Sequence, residues 1–404
     1  EKIRMSTVLL YFGDAFWCTV PYNGLELYYE LSKTHKVIPV FMNNDIRLHK
    51  TWRGDEKFWF DVNEFKKIPY IETNNLLNVY RANNCDMCIM PCQMQHKEKF
   101  AARNRNMKNA GAILSFWDCG GADLLYCNSD GVGWNYFFAK GDAWKNTVCN
   151  SISPIHNSKE DSKLMFSCGS LDFDELFLNN DLVVKIDTLS KLQFCKKYDL
   201  DSHRPIIAYI PSNPRPDNNY IYPSGITARQ ALNDINNTLT DLIASDGYQI
   251  CFKTHPGDYI STESQSEYHG LHPRAQLGGY DKPRYETQDF NNFTTISAED
   301  GYNLYRNCDF GVTNYSHAGF ELSLVKKPVI SYRMKECIEW QYVENLCELV
   351  YTDAQDGNQI KDIILNSKFK DVLTDRELTH FFGNVDGTAY KNICKSVDEI
   401  LSVT

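Results

Sequence analysis

Short apolar runs rich in β-branched and aromatic residues alternate along this chain with longer segments of helical period. That alternation predicts βαβ units and parallel sheets. In the first half the strand candidates are 7–12, 36–41, 87–91, 112–117, 133–138 and 164–167, with helices predicted near 24–32 and 96–109. A second series follows at 206–210, 249–253, 310–313 and 328–332, with helices near 226–245, 300–307 and 317–325. An amphipathic stretch at 390–401 closes the chain. The predicted fold class is α/β, with two doubly wound, Rossmann-like domains facing a cleft. Their junction lies near 172–188, so the expected domains are 1–180 and 181–385, with a terminal helix in 386–404 packing back toward the first domain. Ligands in such sheets bind at the carboxyl ends of the strands. The stretch 257–295, rich in Gly, Ser, Gln, His and Tyr, is long for a connection and reads equally as a functional loop or a surface insertion.

Composition narrows the field. The 404 residues carry 42 basic and 52 acidic side chains, a formal charge of −10, with no basic block. A polymeric nucleic-acid partner held by phosphate contacts is therefore not expected, while a local basic pocket for one phosphorylated ligand remains open. No apolar run approaches the roughly 20 residues of a membrane span and no signal-peptide pattern opens the chain, so a soluble, cytoplasmic protein is expected. Fourteen cysteines spread through apolar runs read as reduced, buried thiols. The Cys85, Cys88 and Cys92 cluster has metal-like spacing but no second pair to complete four ligands, and Cys85–Pro91 also reads as a buried strand. No metal site is inferred. Sequons at Asn236, Asn292 and Asn314 read as coincidental.

Three stretches carry candidate chemistry in the second half. The apolar strand ending at Lys253 runs on as Thr-His255-Pro256; Lys and His at a strand end can donate to a phosphate, or His255 can simply cap a turn. The strand ending at Thr313 leads through Ser316, His317 and Gly319 to Glu321. A helix start there, helped by the Ser316 hydroxyl, suits an anion, and Glu321 could accept from ribose hydroxyls; a plain N-cap and a solvated carboxylate are the simpler alternatives. The loop Ser212-Asn213-Pro-Arg215-Pro-Asp217 follows the first strand of this half and lacks a G-x-G-x-x-G fingerprint, which argues against a dinucleotide enzyme. In the first half, Asp14 and Asp118 each follow a strand, where a carboxylate could act as a base on an acceptor hydroxyl or shape its own loop.

In order, these stretches resemble the donor-binding half of glycosyltransferases with two Rossmann domains (the GT-B architecture), especially those that build bacterial capsule and lipopolysaccharide. Lys253-Thr-His255-Pro256 looks like their Lys-x-His-Pro motif. Ser316-His317-Ala-Gly319-Phe-Glu321, followed by Lys327-Pro-Val, is similar to their Ser/Thr-x-x-Gly-Phe-Glu segment. Together with the aromatic-rich 338–342, the pattern over 205–345 is most similar to the β-Kdo transferases. Lys326 departs from the family, which often has Gly there, and the Asp217 loop is not the usual Gln-rich one. The resemblance implies a metal-independent transferase without a cofactor, taking Kdo from CMP-Kdo to an oligosaccharide or lipid-linked glycan, with membrane association through partners. Lys253, His255, Pro256, Ser316, His317, Gly319, Glu321, Ser212, Asn213 and Arg215 would hold the donor in 181–385, the nucleotide-sugar-binding domain, with 1–180 as the acceptor-binding domain. Asp217 would be the nucleophile of a retaining displacement; with Asp14 or Asp118 as base the outcome would invert. CDP-glycerol and sialic acid transferases and UDP-sugar 2-epimerases share parts of the pattern, so a UDP-sugar 2-epimerase is the alternative enzyme and a non-catalytic sugar-nucleotide binder the third reading.

Overall fold

The computed structural model describes residues 5–12, 20–42, 67–91, 103–104, 106–117, 135–151, 164–174, 176–177, 188–211, 221–253, 292–296, 300–314, 316, 318–336 and 345–403. The chain divides into two compact units, Glu1–Ile186 with Arg376–Thr404, and Asp187–Asp375.

Among the described residues the first unit holds seven parallel strands: β1 (Thr7–Tyr11), β2 (Lys36–Met42), β3 (Ile71–Thr73), β4 (Met87–Pro91), β5 (Leu114–Trp117), β6 (Tyr136–Ala139) and β7 (Met165–Ser167). They lie in the order β3-β2-β1-β4-β5-β6-β7. The central strands β1 and β4 are buried along their whole length. Strands covered on both faces need continuous apolar sequence rather than alternation, and TVLLY and MCIMP supply it. Among the described helices of this unit are α1 (Val20–Leu31), α2 (Leu76–Ala82), α3 (Asp142–Ser151) and α4 (Leu171–Asp174). Cys85 and Cys88 are buried free thiols; burial pushes Cys85 up to about 11 and Cys88 higher still.

Among its described residues the second unit has α5 (Lys191–Lys197) and six parallel strands: β8 (Ile206–Ile210), β9 (Gln249–Lys253), β10 (Thr294–Ile296), β11 (Phe310–Thr313), β12 (Val329–Tyr332) and β13 (Tyr351–Ala354). Their order is β10-β9-β8-β11-β12-β13, so both sheets repeat the doubly wound 3-2-1-4-5-6 arrangement. The long helix α6 (Ala228–Asp246) starts with a capping box between Thr227 and Gln230 and ends at Gly247 in the left-handed conformation. Its Leu232, Ile235, Leu239 and Leu242 join Ile207, Tyr209, Ile250, Val312 and Ile330 in one core. Helices α7 (Gly301–Asn307), α8 (Ala318–Leu324), α9 (Leu346–Val350) and α10 (Gly357–Leu365), with a 3-10 turn at Met334–Glu336, follow in this unit.

Helix α11 (Asp375–Phe382) leads into α12 (Ala389–Val403), within the segment that returns to the first unit. Buried Ile393, Val397 and Ile400 recur at helical spacing along α12. Asp174, at the end of α4, accepts the backbone N–H groups of Ala389 and Tyr390 at 3.0 and 3.2 Å. It thus satisfies donors that a helix start leaves without intrahelical partners. At the other end, Asp398 lies 2.8 Å from His35 Nε2, just beyond α1. Burial, offset by those two N–H donors, raises the Asp174 carboxyl to about 7.

Candidate functional site

In the second sheet the strand order reverses between β8 and β11, and the carboxyl ends of these two strands form its switch point. The Thr313 side chain ties them together. Its hydroxyl donates to the Ile210 carbonyl at 2.7 Å and accepts the Ser316 N–H at 2.9 Å. Ser316 then turns the chain into α8: its hydroxyl accepts from Ala318 N–H at 3.3 Å, and its carbonyl accepts from Gly319 N–H and from the Tyr351 hydroxyl, each at 2.9 Å. Gly319 is required here by packing. A Cβ on it would stand 2.3 Å from Tyr351 Cε1 and 2.4 Å from its hydroxyl, far inside contact distance.

Lys253 ends β9, the strand beside β8 on the other flank of the switch point. Its stem packs against Gly301, where an added Cβ would lie 2.5 Å from Cε, and its ammonium sits 5.7 Å from the centre of the Tyr305 ring. Tyr305 is fully buried; burial first, then the neighbouring Glu321 carboxylate, holds its phenol well above the ordinary value. The phenol oxygen has no hydrogen bond of good geometry, so Glu321 acts on it chiefly through its charge. The structure therefore brings Lys253, Tyr305 and Glu321 into one polar cluster, with Ser316 and Gly319 at the carboxyl end of the same sheet. Thr313, Tyr305 and Tyr351 were not singled out from sequence. Their strand and helix positions look like ordinary core, and only the pairing of distant segments shows what they touch.

Asp217, Asp118, Asp14, His255, Pro256, His317, Ser212, Asn213 and Arg215 lie outside the described residues, as do Cys92 and most of 257–295. Lys326, the departure from the family pattern, has φ 60°. That left-handed conformation after a helix suits glycine. Lys326 takes it and anchors its ammonium on the Leu373 carbonyl at 3.0 Å and on Asp375 at 2.7 Å. Among the described residues no group of three or more His, Cys, Asp or Glu converges to hold a metal.

No protein-family model matches the chain, and no curated protein matches it in sequence. Solved structures do match along its whole length. A protein from Listeria monocytogenes assigned as a UDP-N-acetylglucosamine 2-epimerase superposes with TM-score 0.61 at 13% identity, over 99% of this chain and 98% of that one. The UDP-GlcNAc 2-epimerase of Neisseria meningitidis bound to UDP-GlcNAc gives 0.55 at 13% identity, over 98% and 100%. The wall teichoic acid polymerase TagF, in a variant soaked with CDPG, gives 0.54 at 14% identity, over 98% and 89%. At these identities the likeness establishes the fold: an α/β chain of two Rossmann-like domains, the GT-B type.

Proposed function

We infer that the protein is an enzyme acting on a nucleoside-diphosphate-activated sugar, bound at the carboxyl end of the second sheet. The observation that carries this reading is the polar cluster of Lys253, Tyr305 and Glu321, with Ser316 at the carboxyl end of the same doubly wound sheet, the place where such folds hold phosphorylated ligands. Lys253 would meet the diphosphate charge, and Glu321 would accept from the ribose or sugar hydroxyls. The backbone around Ser316 is fixed by Thr313 and Tyr351, which suits a site that must be ready before its ligand arrives. The reading needs no resident metal or redox cofactor.

Among reactions, 2-epimerisation of a UDP-sugar comes first. The whole-length likeness to UDP-GlcNAc 2-epimerases supports it, and that support moves it ahead of transfer from CMP-Kdo. None of the likenesses supports CMP, Kdo, lipopolysaccharide or capsule. Transfer from a nucleotide-activated donor stays as the second reading, favoured by the Lys253 and Ser316–Glu321 segments and by the likeness to TagF. The two part on one test. UDP-GlcNAc is incubated with the protein and no acceptor, and the C2 configuration is followed by proton NMR. Epimerisation predicts growth of the C2 epimer; an unchanged spectrum removes that reading and leaves transfer, for which Asp217, Asp14 and Asp118 are the carboxylates to vary.

A further inference from the structure

Helix α7 uses two opposite faces. Gly301 and Tyr305, four residues apart, share one face and meet Lys253: the glycine lets the lysine stem pass, and the phenol ring lies beside its ammonium. Asn303 and Asn307, also four apart, stand about 200° further round the helix. Both hold Leu189, the residue just before the Ser190 that caps α5. The Asn303 side-chain oxygen accepts the Leu189 N–H at 2.9 Å, and the Asn307 amide donates to the Leu189 carbonyl at 3.1 Å. Asp300, at the head of α7, does not cap its own helix. Its carboxylate instead accepts from Lys197 and Tyr198 at the end of α5, and from Asn303 Nδ2 at 3.2 Å. Burial works to raise that carboxyl, but Lys197, Tyr198 and Asn303 outweigh it and hold it below its ordinary value.

Asp300, Asn303 and Asn307 are all buried. A satisfied polar network in such a place is costly to break, because each group left behind loses a partner that water does not replace. These bonds therefore hold α7 in one position, and α7 in turn is the wall along which the Lys253 stem runs. A lysine is a point charge on a flexible stem, and it loses rotamer freedom when it fixes an anion. A stem already confined by Gly301 and Tyr305 loses less on binding. We propose that Asp300, Asn303 and Asn307 are positioning residues for the nucleotide site, which act through α7 on Lys253 without touching the ligand. The proposal rests on the assignment of Lys253 to a nucleoside diphosphate.

The test is a double-mutant cycle on the full chain, read by isothermal titration with whichever of UDP and CDP binds the wild type more tightly. Asn303→Ala should weaken that nucleotide about fivefold where Lys253 is present, and less than about twofold in the Lys253→Met background, because it acts through that lysine. Lys197→Met removes a donor from Asp300 at a half-exposed side chain and should follow the same pattern with a smaller loss. Thermal unfolding checks each variant; if Asn303→Ala does not fold, Lys197→Met carries the cycle. If neither nucleotide binds the wild type, or Lys253→Met binds as tightly as the wild type, the nucleotide assignment falls and this proposal with it. Where Lys253→Met does weaken binding, the proposal alone is overturned in two ways: the folded variants bind as the wild type does, or they lose as much affinity without Lys253 as with it.

Discussion

The two sheets share one strand order and differ in what their switch points are made of. In the second, small residues let backbone and ring come close: Gly311 leaves room for Leu322, Gly319 for Tyr351, and a threonine hydroxyl bridges the two strand ends. In the first, aromatic groups fill the same region. Phe12 stacks on Phe41 with ring centres 5.0 Å apart, Gly24 makes room for the Phe12 ring, and Arg103 lies on Tyr11. The strand order fixes where a ligand can sit, and the side chains around it decide which ligand. Two similar sheets in one chain need not serve the same chemistry.

The sharpest way to break this comparison is to fill the two glycines. Gly319→Ala puts a methyl 2.3 Å from the Tyr351 ring, and Gly24→Ala puts one 2.6 Å from the Phe12 ring. Each should lower stability by about 1–3 kcal/mol in urea unfolding. Only Gly319→Ala should also weaken nucleotide binding, because only it pushes Tyr351 off the Ser316 carbonyl. Equal effects of both on nucleotide affinity would erase the distinction between the sheets.

Next in size is a pH effect confined to the first unit. The Asp174 carboxyl titrates near 7 in the folded protein, above its ordinary value of 3.8, so the native state holds that proton more tightly than the unfolded chain. Its contribution to stability is present at low pH and is lost as pH rises from about 4 through about 7, with a slope approaching 1.4 kcal/mol per pH unit. Asp174→Asn keeps one of the two acceptor oxygens that Ala389 and Tyr390 use, removes the titrating group and should flatten that slope. An unchanged slope in urea titrations across this range would show that another group carries it.

Smaller effects sharpen the account. Tyr351→Phe removes the hydroxyl from the Ser316 carbonyl and should cost about 1 kcal/mol, with a severalfold loss of nucleotide affinity. Lys326→Gly relieves a left-handed lysine but gives up its bonds to Leu373 and Asp375, so its net change in unfolding free energy should stay within about 1 kcal/mol. A large destabilisation would mean the lysine's contacts outweigh its backbone strain.

Much of the fold was legible in the chain itself. Central strands such as Thr7–Tyr11 and Ile206–Ile210 are buried throughout and therefore carry unbroken apolar runs. The edge strands Ile71–Thr73 and Thr294–Ile296 escaped, being three residues each and partly exposed, too short and polar to show a period. Tyr351–Ala354 escaped as well, since its threonine and aspartate interrupt the apolar pattern. At the site, Lys253, Ser316, Gly319 and Glu321 could be named because they stand at strand ends and helix starts. Thr313, Tyr305 and Tyr351 could not, because their roles come from segments far apart in sequence that only folding joins. Asn303 and Asn307 likewise gave no signal, since two asparagines on a predicted helix read as a solvated face.

The central claim is that a nucleoside diphosphate binds the second sheet at Lys253. Isothermal titration of UDP, CDP and CMP into the wild type and into Lys253→Met tests it directly. The account predicts saturable binding of a nucleoside diphosphate ahead of CMP, weakened about tenfold in Lys253→Met, which is about 1.4 kcal/mol. Equal affinity of the two proteins for every nucleotide, or no binding to either, would contradict it.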